Sequence, residues 1–286
     1  MAIEAQELVK GVGKLTSLPE VCVRVNEMVD DPRVSASAIG NVISRDTALT
    51  VQLLRLANSA FYNFPSNIST ISRAVTVIGE RELRYLVLAL SAVRAFSKVP
   101  IELINMASFW RHSVYTGVMS RLIAKRCHVL HAERLFVAGL MHDVGKLVAL
   151  SRVPELESEA IQRAEETGEA LHKIEKELIG CDHAEVGRCL LEQWNLPSVL
   201  CETVGCHHDV DMAVEARLDA AIVHIANIAA NRAELTIDHD GAIPEVDPIA
   251  WEQTGLNEDV IEELTEEVVP LFAESWAMIQ PVICQA

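Results

Sequence analysis

The sequence predicts an all-α protein. Apolar residues recur at helical spacing through most of the chain, and residues suited to cap helices stand at the starts of those stretches. No hairpin dipeptide sits between alternating apolar runs. Half of the 286 residues are apolar and 23% are charged, enough to bury a sizeable core in one large domain or two closely packed ones.

Each element has its own signal. Leu18-Pro19 opens a helix, because proline is tolerated in a first turn, and Asp31-Pro32 ends it. Ser35 caps Ala36–Ser44, and Asp46 or Thr47 caps Ala48–Asn58, where Leu49, Leu53, Leu56 and Ala57 share a face. Phe61 to Phe64 form an aromatic loop, read as a core plug. Ser69 or Thr70 opens a helix that Gly79 closes. Its run Val75-Thr76-Val77-Ile78 has strand composition, but the caps around it favour helix. Glu80–Phe96 carries a stripe of Leu83, Leu86, Val87, Leu90 and Val93. Arg45 with Asp46 reads as a helix-end pair, and Arg55 as a donor to a loop carbonyl. Pro100 marks a break, so residues 1–100 form an N-terminal helical part.

Residues 101–235 form the second part. Two long helical stretches, Leu103–Cys127 and Ala132–Leu150, come first, then shorter ones at Pro154–Thr167 and Glu169–Ile179. Asp182 and Glu185 form a capping box that starts a helix at His183. Ser198–Cys206 is short, and Ala213–Leu235 is apolar on most sides and hence buried. Thr236–Val246 reads as a loop, and Asn257 caps a last acidic helix to about Ile279. Residues 236–286 are thus an acidic C-terminal helical extension.

Composition narrows the function. No apolar run reaches about 18 residues, so no membrane span is expected. The N-terminus has no apolar export core. Seven cysteines without a Cys-x-x-Cys pair read as reduced thiols of a cytoplasmic protein. The net charge of −17 is uneven: residues 1–150 carry +5 and residues 151–286 carry −22. Such acidity repels a phosphate backbone, so direct binding to duplex nucleic acid is not expected.

The histidines carry the chemical signal. His142-Asp143 lies on one long helical stretch, where neighbours point about 100° apart and grip one ion from two sides. His112 lies on the preceding helix. An antiparallel return about 128–131 leaves it roughly 6 Å out of register with His142, a gap two long side chains can cover. His183 stands at a helix start and His207-His208 at a helix end. Each alone is better read as structural, hydrogen-bonding locally or complementing a helix dipole. Five of them beside an Asp favour a metal, and imidazole with carboxylate suits iron, manganese or zinc.

These residues resemble a known family. His112 and the run His142-Asp143-Val144-Gly145-Lys146 resemble the HD superfamily of metal-dependent phosphohydrolases. Leu18-Pro19-Glu20-Val21, Ile43 to Thr50, Leu53 to Tyr62 and Ile71 to Gly79 resemble its HDOD branch, across about residues 15–230. The resemblance implies an HD-domain-like multi-helix bundle with an additional N-terminal helical part, in a bacterial signal-transduction or regulatory protein. Many HDOD members have lost part of the HD site and act through a protein partner or a nucleotide.

This chain keeps more. His183, and His207-His208 followed by Asp209, match ligand positions of the related HD-GYP branch, although the GYP tail is absent. The superfamily closes its site with an aspartate on a late helix, and here Asn227 stands at that place. Asp219 is roughly 12 Å away along the same helix. The expected metal ligands are therefore His112, His142, Asp143, His183, His207 and His208, enough for two iron or manganese ions bridged by Asp143. Asp143 and Lys146 are the expected catalytic groups, with Lys146 meeting a phosphate oxygen; its plainer reading is an exposed residue with a snorkelling stem. Asn227 brings no charge, which favours a regulatory role over vigorous hydrolysis. The alternative is a metal-dependent phosphohydrolase acting on a nucleotide or other phosphoester; a third reading is an iron-based redox or oxygen sensor.

Overall fold

The computed structural model describes residues 2–10, 18–29, 31, 33–59, 62, 64–97, 103–235 and 245–284. Among the described residues the regular elements are sixteen α-helices and one 3-10 turn, with no strand. No helix among them is long and apolar enough to cross a membrane. The chain divides into two compact units, Met1–Leu15 with Val99–Val268, and Thr16–Lys98 with Val269–Ala286.

After α1 (Ala5–Lys10), which belongs to the larger unit, the smaller unit runs through α2 (Glu20–Val29), α3 (Ala36–Ile43), α4 (Thr47–Ala57), α5 (Ile71–Ile78) and α6 (Glu80–Phe96). Side-chain oxygens of Ser35, Asp46 and Thr70 cap α3, α4 and α5 by accepting from Ala38, Leu49 and Arg73 N–H. The predicted stripe of α6, Leu83 to Val93, is buried. Two details differ from expectation. Asp46 pairs with Arg94 of α6 at 2.7 Å, since its cap geometry points the second oxygen at α6, away from Arg45. The loop after α4 is held by Asn58, whose amide donates to Leu54 and Ile68 carbonyls and accepts from Ile68 N–H. Arg55 is exposed. In the aromatic loop Tyr62 and Phe64 stack with centroids 5.5 Å apart; Phe61 and Asn63 lie outside the described residues.

The larger unit continues with α7 (Met106–Arg126), α8 (Glu133–Met141), α9 (Val144–Arg152), α10 (Pro154–Thr167), α11 (Leu171–Leu178), α12 (His183–Gln193), α13 (Ser198–Gly205), α14 (Arg217–Leu235) and α15 (Pro248–Thr254). Last is α16 (Asp259–Cys284), whose residues up to Val268 belong to this unit. The expected single stretch Ala132–Leu150 is broken into α8 and α9 at His142-Asp143. Asp143 has φ −97° and ψ 4°, outside the helical well. At the break His142 Nε2 and Asp143 Oδ1 stand 3.4 Å apart. The predicted capping box of Asp182 and Glu185 is present. The expected start at Ala213 moves to Arg217, because Glu202 captures the backbone N–H groups of Val214, Glu215 and Ala216. The sequence reading missed α15, which Asp247 caps. Most of the expected loop, residues 236–244, lies outside the described residues. Cys22, Cys127, Cys181, Cys189, Cys201 and Cys206 are free thiols.

Two glycine contacts set the spacing around the site. α8 returns antiparallel to α7, and a Cβ on Gly139 would stand 2.8 Å from Gly117 Cα. A Cβ on Gly145 in α9 would run into the His183 carbonyl oxygen at the start of α12. Such contacts leave no room for a methyl group without moving a helix. Gly145→Ala should therefore destabilise the protein by about 1–3 kcal/mol, read as a lowered urea midpoint with an unchanged slope.

Candidate metal centre

Four elements converge on Asp143. His112 comes from α7, His142 and Asp143 from the α8–α9 break, His183 from the first turn of α12, and His207 and His208 from the segment after α13. Asp143, His183, His207 and His208 each offer a ligand atom, and these lie within 4.8 Å of one another; His112, His142 and Asp143 form a second such group. Asp143 Oδ1 is 3.4 Å from His142 Nε2, 3.2 Å from His183 Nε2 and 3.9 Å from His207 Nε2. Its Oδ2 is 3.9 Å from His112 Nε2. The two groups share this one carboxylate. All six residues singled out in the sequence as ligands meet in one place.

The outer nitrogens fix the chemistry of the inner ones. His142 Nδ1 is 2.7 Å from the Gly139 carbonyl, and His207 Nδ1 is 2.7 Å from that of Val204. A carbonyl only accepts, so each Nδ1 carries the hydrogen and each Nε2 presents a bare lone pair to the pocket. His183 Nδ1 is likewise held by Glu175 Oε2 at 2.6 Å. Within the pocket His112 Nε2 and His142 Nε2 lie 3.3 Å apart, and His183 Nε2 and His208 Nε2 lie 2.8 Å apart. Such a site gathers acceptors and offers almost no donors. Asp143 Oδ1 and His207 Nε2 are buried with no hydrogen-bond partner. Acceptors so placed cost free energy unless a cation meets them, and this donor set suits a divalent transition metal.

Protonation follows the same logic. Burial pushes His142 down to about 4 and, with His142 and His183 nearby, pushes His207 well below the usual imidazole range. Burial and the neighbouring His207 and His183 hold His208 low as well. Burial alone would raise Asp143, but His142, Lys146 and His183 around it hold the carboxyl well below the usual range. His183 is the exception. Burial opposes its charge, yet the neighbouring carboxylates of Glu175 and Asp143 lift it to about 10. A hydrogen between His183 Nε2 and His208 Nε2 accounts for their 2.8 Å approach, and a divalent ion would have to displace it.

Lys146 Nζ lies 2.7 Å from Asp143 Oδ2 and is only 25% exposed, so the plainer reading of a solvent-facing lysine does not hold. Asn227 Oδ1 lies 3.0 Å from His112 Nε2, beside the group containing His142. Asp219 is held by Arg134 at 2.6 and 3.0 Å and takes no part in the site. Sequence reasoning missed the outer supports. Glu175 is fully buried behind His183, and His172 stacks on His208 with centroids 4.2 Å apart. His224 Nδ1 bonds the His207 carbonyl while its Nε2 accepts from Asp247 N–H. Nothing local signals Glu175, since it lies on α11 and reaches His183 on α12 across the turn between the two helices.

The sequence profile of the HDOD domain matches residues 15–210. The chain belongs to the HDOD family. An HDOD domain protein of unknown function from Geobacter sulfurreducens has the same fold, at TM-score 0.75 and 25% identity over 96% of each chain. An uncharacterised Treponema pallidum protein is 28% identical over 213 residues, 74% of this chain and 41% of that one. The cyclic di-GMP phosphodiesterase CdgJ of Vibrio cholerae is 26% identical over 132 residues, 46% of this chain and 29% of CdgJ. The HDOD chain thus spans less than half the length of these curated relatives.

The folded protein keeps His142 neutral down to about 4, against an ordinary 6.5. Its contribution to stability is therefore complete above pH 6.5 and is lost as the pH falls toward 4. His183 has the opposite sign, its contribution complete below 6.5 and lost as pH rises through about 10, so the two act in different windows. The stability of metal-free protein should fall by up to about 3 kcal/mol between pH 6.5 and 4 through His142. His142→Asn should make that slope shallower, with the share of His207 and His208 remaining, in chelator-containing urea titrations at pH 7, 5.5 and 4.5.

Proposed function

We propose that this HDOD protein is a bacterial signalling module whose pocket holds one or two divalent metal ions, iron or manganese, with hydrolysis attenuated by Asn227. The observation that carries this is the buried set of acceptors around Asp143, two of them without a hydrogen-bond partner. His183, His207 and His208 with Asp143 are the ligands of the fuller group, and His112 and His142 with Asp143 those of the other. A divalent ion there supplies Lewis-acid activation of a phosphoester and of water. Lys146 neutralises Asp143 and stands ready to meet a phosphate oxygen. Asn227 Oδ1 stands 3.0 Å from His112 Nε2 where a carboxylate would add a negative charge, so the His112 end binds a cation less tightly. The module then works as a metal-dependent binding or sensing element for a protein partner or a nucleotide.

A second reading is a metal-dependent phosphohydrolase. It is favoured by the buried Lys146–Asp143 pair, a cation already placed beside the shared carboxylate. Likeness to CdgJ extends over less than half of this chain and points only to phosphoesters as a class.

Elemental analysis of purified protein should find one or two transition-metal ions per chain, and His142→Ala should lose at least one. A metal-free wild type would sink both readings. Asn227→Asp should raise metal affinity at the His112 end about tenfold. It should also raise turnover of a bis(p-nitrophenyl) phosphate and cyclic dinucleotide panel above a near-silent wild type. Wild-type turnover at ordinary enzyme rates, on the order of 10 per second, would decide for the second reading.

A further inference from the structure

Behind His183, on the side away from Asp143, lies a pair of carboxyl groups that the metal chemistry above leaves unused. Glu157 of α10 and Glu175 of α11 are both fully buried, on helices packed against each other. Glu175 Oε2 accepts twice from His183, from its backbone N–H at 2.9 Å and from Nδ1–H at 2.6 Å. Its Oε1 has no donor, and neither oxygen of Glu157 has one. The two carboxyl groups face each other. Two bare carboxylates cannot sit side by side out of water at acceptable cost, whereas an acid donating its hydrogen to a carboxylate satisfies both.

We propose that Glu157 and Glu175 are positioning residues of the metal centre, Glu157 donating its carboxylic O–H to Glu175 so that Glu175 holds His183 Nδ1–H and turns Nε2 toward Asp143. The proposal rests on the metal reading above for its purpose, but its geometry stands without it. Its roles are unequal. Glu175 touches His183 directly and carries the charge that strengthens it as a ligand. Glu157 has no N–H donor on either oxygen, whereas Glu175 already accepts two from His183, so Glu157 is the member that keeps its hydrogen. His183 is thereby fixed from outside at the point where its backbone is pressed against Gly145.

The test compares Glu175→Gln with Glu157→Gln in the full chain. Zinc affinity is read by chelator competition, and the His183 ring by NMR of metal-free protein. Wild type and Glu157→Gln should share a strongly downfield Nδ1 proton from the 2.6 Å bond, because glutamine imitates a carboxylic acid that donates. Glu157→Leu removes the donor, so it should shift that proton and weaken zinc binding about tenfold. Glu175→Gln should lose that resonance and bind zinc about 10- to 100-fold more weakly. An unshifted His183 resonance in Glu175→Gln, or equal losses in both variants, would overturn the proposal. Should Glu175→Gln fail to fold, Glu157→Gln alone still decides, since a tenfold loss there contradicts a hydrogen-donating acid. Wild type that took up no zinc would defeat the metal reading, while the metal-free spectra would still judge the role of the pair.

Discussion

The centre of this HDOD protein is governed by one constraint: a carboxylate, Asp143, is surrounded by ring nitrogens whose hydrogens are committed elsewhere. Every close contact in the pocket follows from it. Imidazoles approach to 2.8 and 3.3 Å on helices that apolar packing locks in place. Apolar burial over α7, α8 and α14 supplies the free energy that holds this acceptor-rich cluster together. Lys146 and the proton on His183 are the positive charges that make the arrangement tolerable.

The architecture serves that constraint at several points. Gly117 against Gly139 lets α7 and α8 close until His112 reaches His142, and Gly145 lets α9 press on the start of α12 until His183 reaches Asp143. His224 ties the His207 carbonyl to the segment before α15. Arg134 occupies Asp219, which leaves Asn227 as the polar group that α14 contributes beside His112. The smaller unit has its own logic of caps and an apolar α6 face, and its distinctive polar residues, Asp46 and Asn58, stabilise turns of that unit.

Much of this was legible in the sequence, for physical reasons. Caps and apolar periodicity act within a few residues, so Ser35, Asp46, Thr70 and the Asp182–Glu185 box announced their helices directly. That His112, His142, Asp143, His183, His207 and His208 meet was legible because such side chains are few and chemically distinctive. The break at His142-Asp143 was not, since Ala132–Leu150 has unbroken helical periodicity and the distortion comes from tertiary contact. Nor were Arg94 as partner of Asp46, or Glu157 and Glu175 behind His183. Those pairings join residues far apart in the chain or on different helices, and nothing local marks them. Glu175 looked like one acidic residue among many in an acidic half.

The break between α8 and α9 also constrains how this stretch can change. Inserting or deleting one residue in α8 would swing everything beyond it by about 100°, carrying His142 and Asp143 off the pocket together. Leu135 to Met141 are all buried, so side-chain volume there and the number of residues between Gly117's partner, Gly139, and Asp143 are both fixed by geometry. Across descendants of this sequence, that interval should admit apolar replacements of similar size and no change of length.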